Sequence, residues 1–198
     1  MNIAVIDYGT GNLHSLTKAL EWGGANVWIE RELNYAVRAD ALVLPGVGAF
    51  GAAAAQLAPA ATALKQAIAQ GLPCLGICLG MQLLFDSSDE GGGAGMSIIG
   101  GHVRRLCSRR VPHIGWNTVD MVDDALFHGI PQLVAYFANS YVVEPADESD
   151  VIGWCSYGRE RFPAAVRRDN VWGVQFHPEK SGPEGLHLLG NFIAQVHR

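Results

Sequence analysis

Pro73-Cys74-Leu75-Gly76-Ile77-Cys78-Leu79-Gly80-Met81-Gln82 holds an uncharged apolar run, two closely spaced glycines and a cysteine between them. Pro73–Ile77 reads as a strand buried on both faces, and the apolar stretch Leu79–Phe85 as the helix that leaves it. Gly76-Ile77-Cys78-Leu79-Gly80 then has the G-x-nucleophile-x-G form of a nucleophile elbow, with Cys where Ser is common. A sharp strand-to-helix turn crowds the backbone and requires small neighbours, which the two glycines supply. Such a turn lifts the sulfur to the carboxyl end of the sheet, where open α/β folds place ligands. A helix N-terminus at that point also favours an anion. Cys74 has no glycine turn around it and reads as a small buried hydrophobe.

Working outward, strands and helices alternate through the first third of the chain. Asn2–Asp7, Val27–Glu30 and Ala41–Leu44 are strand candidates. The helical stretches are Leu13 to Trp22 and an Ala-rich region that runs to about Gln70 and ends at Gly71. After Asp86 the character changes. Glu90–Gly95 is a glycine-rich loop, and His102–Leu106, Leu133–Ala138, Val151–Cys155, Ala164–Arg167 and Val171–Phe176 are short strand candidates. Asp169-Asn170 suggests a hairpin turn between the last two. Leu186, Leu189, Phe192, Ile193 and Val196 recur at helical spacing in a closing helix from Pro183 to Val196. The expectation is a single α/β domain over 1–198. It has three layers, a mostly parallel central sheet with helices on both faces, and antiparallel strands added in the second half.

Composition bounds the function. The chain has 198 residues, 49% of them hydrophobic and 17% charged, and a net charge of −5. That is enough to bury one substantial core. The negative charge argues against nucleic-acid or anionic-membrane partners. Arg104, Arg105, Arg109 and Arg110 form a local basic run that reads first as a solvated edge. The four cysteines have no CxxC or ligand spacing, so neither a disulfide framework nor a metal site is expected. The N-terminus has no basic n-region before its apolar run and no stretch reaches the ~20 residues of a membrane span, so a cytoplasmic protein is expected.

A thiolate nucleophile needs a base and a group that orients the base. Gln175-Phe176-His177-Pro178-Glu179 supplies both. In an extended segment His177 and Glu179 share a face, and Pro178 keeps His177 out of the helical region. Glu179 can then hold one imidazole nitrogen while the other faces Cys78. The backbone N–H of Leu79 would be one oxyanion donor. Val47 and Gly48, in Pro45-Gly46-Val47-Gly48 after a parallel strand, either supply a second donor or form a tight turn with no ligand role. Gly9-Thr10-Gly11 fails as a dinucleotide fingerprint because His14 stands at the third glycine position, and no P-loop occurs.

Gly76-Ile77-Cys78-Leu79-Gly80-Met81-Gln82 together with Gly173-Val174-Gln175-Phe176-His177-Pro178-Glu179 resembles the class I (triad) glutamine amidotransferases. Asp7-Tyr8-Gly9-Thr10-Gly11-Asn12-Leu13 and Pro112-His113-Ile114-Gly115-Trp116-Asn117 narrow the resemblance to one branch, the glutaminase subunits of imidazole glycerol phosphate synthases in histidine biosynthesis. The likeness runs from the first strand to the last helix. It implies that Cys78 attacks the side-chain amide of glutamine, His177 protonates the departing ammonia and water releases glutamate, with no cofactor. It implies that Gln82 and the backbone at Ser140 and Tyr141 hold the substrate. It further implies a heterodimer with a (β/α)₈-barrel cyclase, faced by Asn12, Trp116, Asn117 and Lys180. Ammonia would reach a nucleotide intermediate there, giving imidazole glycerol phosphate and aminoimidazole carboxamide ribotide. Read from the residues alone, Trp116 is either a core aromatic or partner-facing, and Gln82 either a substrate contact or a helix-capping or solvated polar residue. Asn139-Ser140-Tyr141 stands where the family often has His-Ser-Tyr.

Three other readings compete. A paralogous glutaminase would feed another acceptor, such as an amino-sugar pathway enzyme. A cysteine peptidase or deglycase of similar fold would share the elbow but require neither Gln82 nor Pro112–Asn117. A non-catalytic regulatory subunit would lack a triad member, and none is missing.

Overall fold

The computed structural model of the chain describes residues 1–9 and 13–196. Its first half comprises β1 (Asn2–Ile6), α1 (His14–Trp22), β2 (Asn26–Glu30), α2 (Leu33–Ala36), β3 (Ala41–Leu44), α3 (Phe50–Leu57), α4 (Ala61–Ala69), β4 (Cys74–Ile77) and α5 (Leu79–Gln82). Then come β5 (Ser87–Ser88), β6 (Gly101–Arg105), β7 (His113–Met121), β8 (Leu133–Asn139), β9 (Tyr141–Pro145), β10 (Val151–Tyr157), β11 (Glu160–Arg168), β12 (Val171–Val174) and α6 (Gly182–Gln195).

Nine strands make the central sheet in the order β2-β1-β3-β4-β12-β11-β10-β7-β8. The five strands from β2 to β12 are parallel, and the remaining four continue the sheet antiparallel. Strands buried on both faces explain why the parallel half reads as continuous apolar runs. In β1, Ile3 and Val5 face the layer of α1 and α6, where Leu16, Leu20, Leu189 and Phe192 are buried. Ala4 and Ile6 face the opposite layer, against Phe50, Leu57, Leu64 and Ile68 of α3 and α4. The expected three-layer α/β architecture is therefore the observed one. A smaller sheet, β5-β6-β9, flanks the central one. Among the described residues no helix is long and apolar enough to cross a membrane.

Several elements differ from the sequence reading. The Ala-rich region is two helices, separated by a 3₁₀ turn at Ala58–Ala60 that contains Pro59; proline lacks the N–H that a continuous helix needs. The helix after Cys78 ends at Gln82, not Phe85. Loop N–H groups claim the next carbonyls: Met96 donates to Leu83 and Ile98 to Leu84, at 2.7 and 2.9 Å. β7 and β9 are strands where none was expected. The turn at Asp169-Asn170 is present, with Asp169 at φ 53° and Asn170 bonded through its side chain to the carbonyls of Ile68 and Leu72.

The topology places the site. Three neighbouring strands, β3, β4 and β12, run in one direction. Gly46–Gly48, Cys78 and His177 each follow the carboxyl end of one of them.

Candidate active site

Cys78 sits between β4 and α5 at φ 51°, ψ −105°, a conformation that L residues rarely adopt. Its N–H donates to the Val174 carbonyl at 2.7 Å, which fastens the strained turn to β12. The flanking glycines are needed for space, not for their dihedrals. A β-carbon on Gly80 would lie 1.9 Å from the Leu44 carbonyl oxygen, and one on Gly76 would lie 2.6 Å from the Gly80 oxygen. Gly46 is equally tight, with its missing β-carbon 2.4 Å from the Ile77 oxygen and 2.8 Å from Cys78 Cβ. The Pro45–Gly48 loop thus packs directly on the elbow. Cys78 is 7% exposed. Cys74 is fully buried, and burial pushes its thiol up to about 12, which agrees with its reading as an inert packing residue.

His177 Nδ1 and Glu179 Oε1 are 2.9 Å apart, with both side chains buried. The segment is not the extended strand end expected: His177 is extended at φ −102°, ψ 95°, but Pro178–Lys180 forms a 3₁₀ turn. That turn brings Glu179 back beside the ring. Burial alone would lower the His177 pKa; hydrogen bonds to Cys78 and Glu179, and the negative charge of both, raise it to about 10. An imidazolium is thereby held between a carboxylate and the sulfur.

Two residues that sequence reasoning left without a role complete this cluster. Ser181, fully buried, donates to the His177 carbonyl at 2.6 Å and accepts the Tyr136 N–H at 2.9 Å. Gln175, also fully buried, directs its amide nitrogen to Cys78 Sγ at 3.4 Å. Gln175 stands within the His177 motif, but the fold, not the motif, sets the direction of its side chain. Gln82 is neither solvated nor a cap. It is buried, and its amide nitrogen donates to Gln175 Oε1 at 3.1 Å and to the Tyr141 carbonyl at 3.2 Å. Asn139 Nδ2 shares that carbonyl at 3.1 Å.

Val47, Gly48, Cys78, Leu79, Gln82, Ser140, Tyr141, His177 and Lys180 all line one cavity of about 320 Å³. The structure brings together every residue singled out for the triad, the oxyanion and the substrate, except Glu179, which stands behind His177. Gly48 has φ 122°, open to glycine and strained for other residues. Leu79 lies in the first turn of α5, where N–H groups have no intrahelical acceptor.

The residues expected to face a partner separate. Trp116 is 58% exposed on the outer face of β7, edge-on to Tyr136 at 6.0 Å, so it is not a core aromatic. Ile114 and Val134 are exposed beside it. Asn117 follows Trp116 on the opposite face of the strand and donates to the Ser156 carbonyl at 2.9 Å. Lys180 places Nζ 5.9 Å from the Tyr136 ring centroid. Asn12 lies outside the described residues. In the basic run, Arg104 is paired with Glu144 and Glu160, while Arg105, Arg109 and Arg110 are exposed, as a solvated edge requires.

An elbow cysteine, a buried His–carboxylate pair and a sheet of this order define a class of enzyme. Residues 4–196 match the family model described as glutamine amidotransferase class-I, and the chain belongs to that family. Among curated relatives, it is 46% identical to imidazole glycerol phosphate synthase subunit HisH of Microcystis aeruginosa, over 99% of this chain and 96% of the relative. It is also 46% identical to the subunit of that name from Thermosynechococcus vestitus, over 98% and 97%. Solved structures share the fold at low identity. A crystal structure of a glutamine amidotransferase matches with TM-score 0.79 at 19% identity, covering 99% of both chains. A structure of PurLQS from Thermotoga maritima matches with TM-score 0.77 at 18%, covering 98% of both.

Proposed function

We propose that the chain is the glutaminase subunit of an imidazole glycerol phosphate synthase, hydrolysing L-glutamine at Cys78 and passing ammonia to a (β/α)₈-barrel cyclase. The observation that carries the catalytic part is the strained Cys78 elbow facing a buried His177 that Glu179 holds at 2.9 Å. The HisH relatives carry the choice of partner.

The thiolate of Cys78 attacks the side-chain carbonyl carbon of glutamine. The oxyanion that forms is stabilised by the Leu79 N–H at the elbow and by the Val47–Gly48 backbone of the loop packed on it. Protonated His177 gives its proton to the departing nitrogen, so ammonia leaves and a glutamyl thioester remains. Neutral His177 then takes a proton from water as the hydroxide attacks the thioester, glutamate departs and the thiolate returns. Glu179 keeps the ring oriented and supports its charge. Both donor contacts of Gln82 go to protein oxygens, so Gln82 serves substrate as an acceptor, through Oε1, for a glutamine N–H.

Ammonia then enters the barrel, where the products are imidazole glycerol phosphate and aminoimidazole carboxamide ribotide. The outer face of the β7–β8 hairpin, with Ile114, Trp116 and Val134 exposed, is the apolar surface that such a subunit would cover. Lys180 at the cavity rim joins this interface, and Asn117 supports it from behind Trp116; the resemblance to the family assigns Asn12 to it as well.

The test is ammonia release from glutamine, with and without the barrel cyclase and its nucleotide ligand. The expected result is activity that rises with the liganded cyclase and disappears in Cys78→Ala. Activity indifferent to the cyclase, retained in Cys78→Ala, would overturn the proposal.

A further inference from the structure

Three amides and a sulfur form one polarised chain. The Tyr141 carbonyl is only an acceptor, so Gln82 must turn its NH₂ toward it, at 3.2 Å. The second hydrogen of the same nitrogen goes to Gln175 Oε1, at 3.1 Å. With its oxygen so engaged, Gln175 has its NH₂ left for Cys78 Sγ, at 3.4 Å. Reversing the Gln175 amide would set nitrogen against nitrogen at one end and oxygen against sulfur at the other. The direction of the last N–H is thus dictated from Tyr141.

We infer that Gln175 is a thiolate-stabilising residue of this enzyme, an N–H donor that Tyr141 and Gln82 hold against the Cys78 sulfur. The inference rests on Cys78 being the nucleophile. Gln175 is fully buried, its backbone N–H is tied to the Ala164 carbonyl at 2.8 Å, and it cannot swing away. An N–H to an ionised acceptor is worth about twice a neutral one, and more where water is excluded. The sulfur therefore has two supports. The His177 imidazolium moves its proton during the reaction, whereas the Gln175 amide does not. The fixed donor supports the negative charge that returns to the sulfur when the thioester is hydrolysed, which makes the sulfur a better leaving group. Tyr141 belongs to the cavity wall, so a shift of that wall on substrate binding reaches the sulfur through two side chains.

Among the described residues, the charged and titratable groups around the sulfur are His177, with Glu179 behind it, and Glu90, Tyr141 and Lys180 of the cavity lining. All remain in place in the test variants. Iodoacetamide alkylation of the Cys78 peptide, followed by mass spectrometry from pH 6 to 10, reads the thiolate directly; exposed Cys107 on the same chain is the internal control. In Gln175→Met, the ratio of Cys78 alkylation on the acid limb of its pH profile to that at the high-pH plateau should fall about tenfold, the size of one charge-assisted hydrogen bond, with Cys107 unchanged. Gln82→Met, which frees the Gln175 amide to rotate, should show a smaller fall in the same direction. A purely structural role would lower the melting temperature without moving this ratio. An unchanged ratio in folded Gln175→Met overturns the inference; should that variant not fold, an unchanged ratio in Gln82→Met does so. Failure of the nucleophile assignment shows separately, as ammonia release retained by Cys78→Ala.

Discussion

Ser181 Oγ accepts the backbone N–H of Tyr136 at 2.9 Å. The same hydroxyl donates to the His177 carbonyl, and the His177 N–H reaches the Tyr136 carbonyl at 2.9 Å. The imidazole is therefore positioned by β8 as much as by its own strand. Ser181→Ala leaves a buried N–H without its acceptor, at a cost of about 1–3 kcal/mol. Urea denaturation should show that loss, and steady-state kinetics a lower kcat with KM for glutamine little changed.

Gly80→Ala should be far more damaging than its size suggests. Its β-carbon would meet the Leu44 backbone oxygen at 1.9 Å, and neither strand nor elbow can yield. A loss of at least about 3 kcal/mol is expected, with activity abolished. Gly190→Ala in α6 is the matched control. Its β-carbon meets nothing within 4 Å, so it should stabilise the chain by up to about 1 kcal/mol.

His177 gives a pH signature. Its pKa is about 10 in the folded chain against an ordinary value near 6.5. A raised pKa means that the folded state binds the proton more tightly. The imidazolium's contribution to stability is thus full below about pH 6.5 and is lost as pH rises through about 10. Imidazole NMR should show His177 charged at pH 8, and its midpoint should fall in Cys78→Ala. A wild-type midpoint near 6.5 would contradict the ion pair.

Trp116 has no core to hold together. Trp116→Ala should change the stability of the isolated chain by no more than about 0.5 kcal/mol. It should weaken binding to the barrel cyclase by about 2 kcal/mol or more, as a buried interface aromatic does. Calorimetric titration of the two subunits measures the second effect and thermal unfolding the first.

How much of this was legible in the sequence depended on how local the signal was. The elbow was readable because Gly76, Cys78 and Gly80 satisfy one turn within five residues. β3 was placed to the residue because Ala41–Leu44 is an uninterrupted apolar run. β7 was not seen as a strand, since it lies near the sheet edge, carries Gly115 at φ 132° and turns Ile114 and Trp116 outward. Ser181 and Gln175 were invisible as site residues for another reason. Their partners lie 45 and 97 residues away in the chain, and only the topology brings them together. The helix after Cys78 was overextended because Leu83–Phe85 is apolar in either state, and the loop that takes up its carbonyls is distant in composition.

Hydrolysis of glutamine at Cys78 requires a covalent glutamyl intermediate on that sulfur. The direct measurement is an acid quench of the chain turning over glutamine with the liganded cyclase, followed by peptide mapping. A glutamyl thioester on the peptide that carries Cys78, absent in Cys78→Ala, is the predicted result. Ammonia release with no adduct on that peptide, or with the adduct on Cys107, would contradict it.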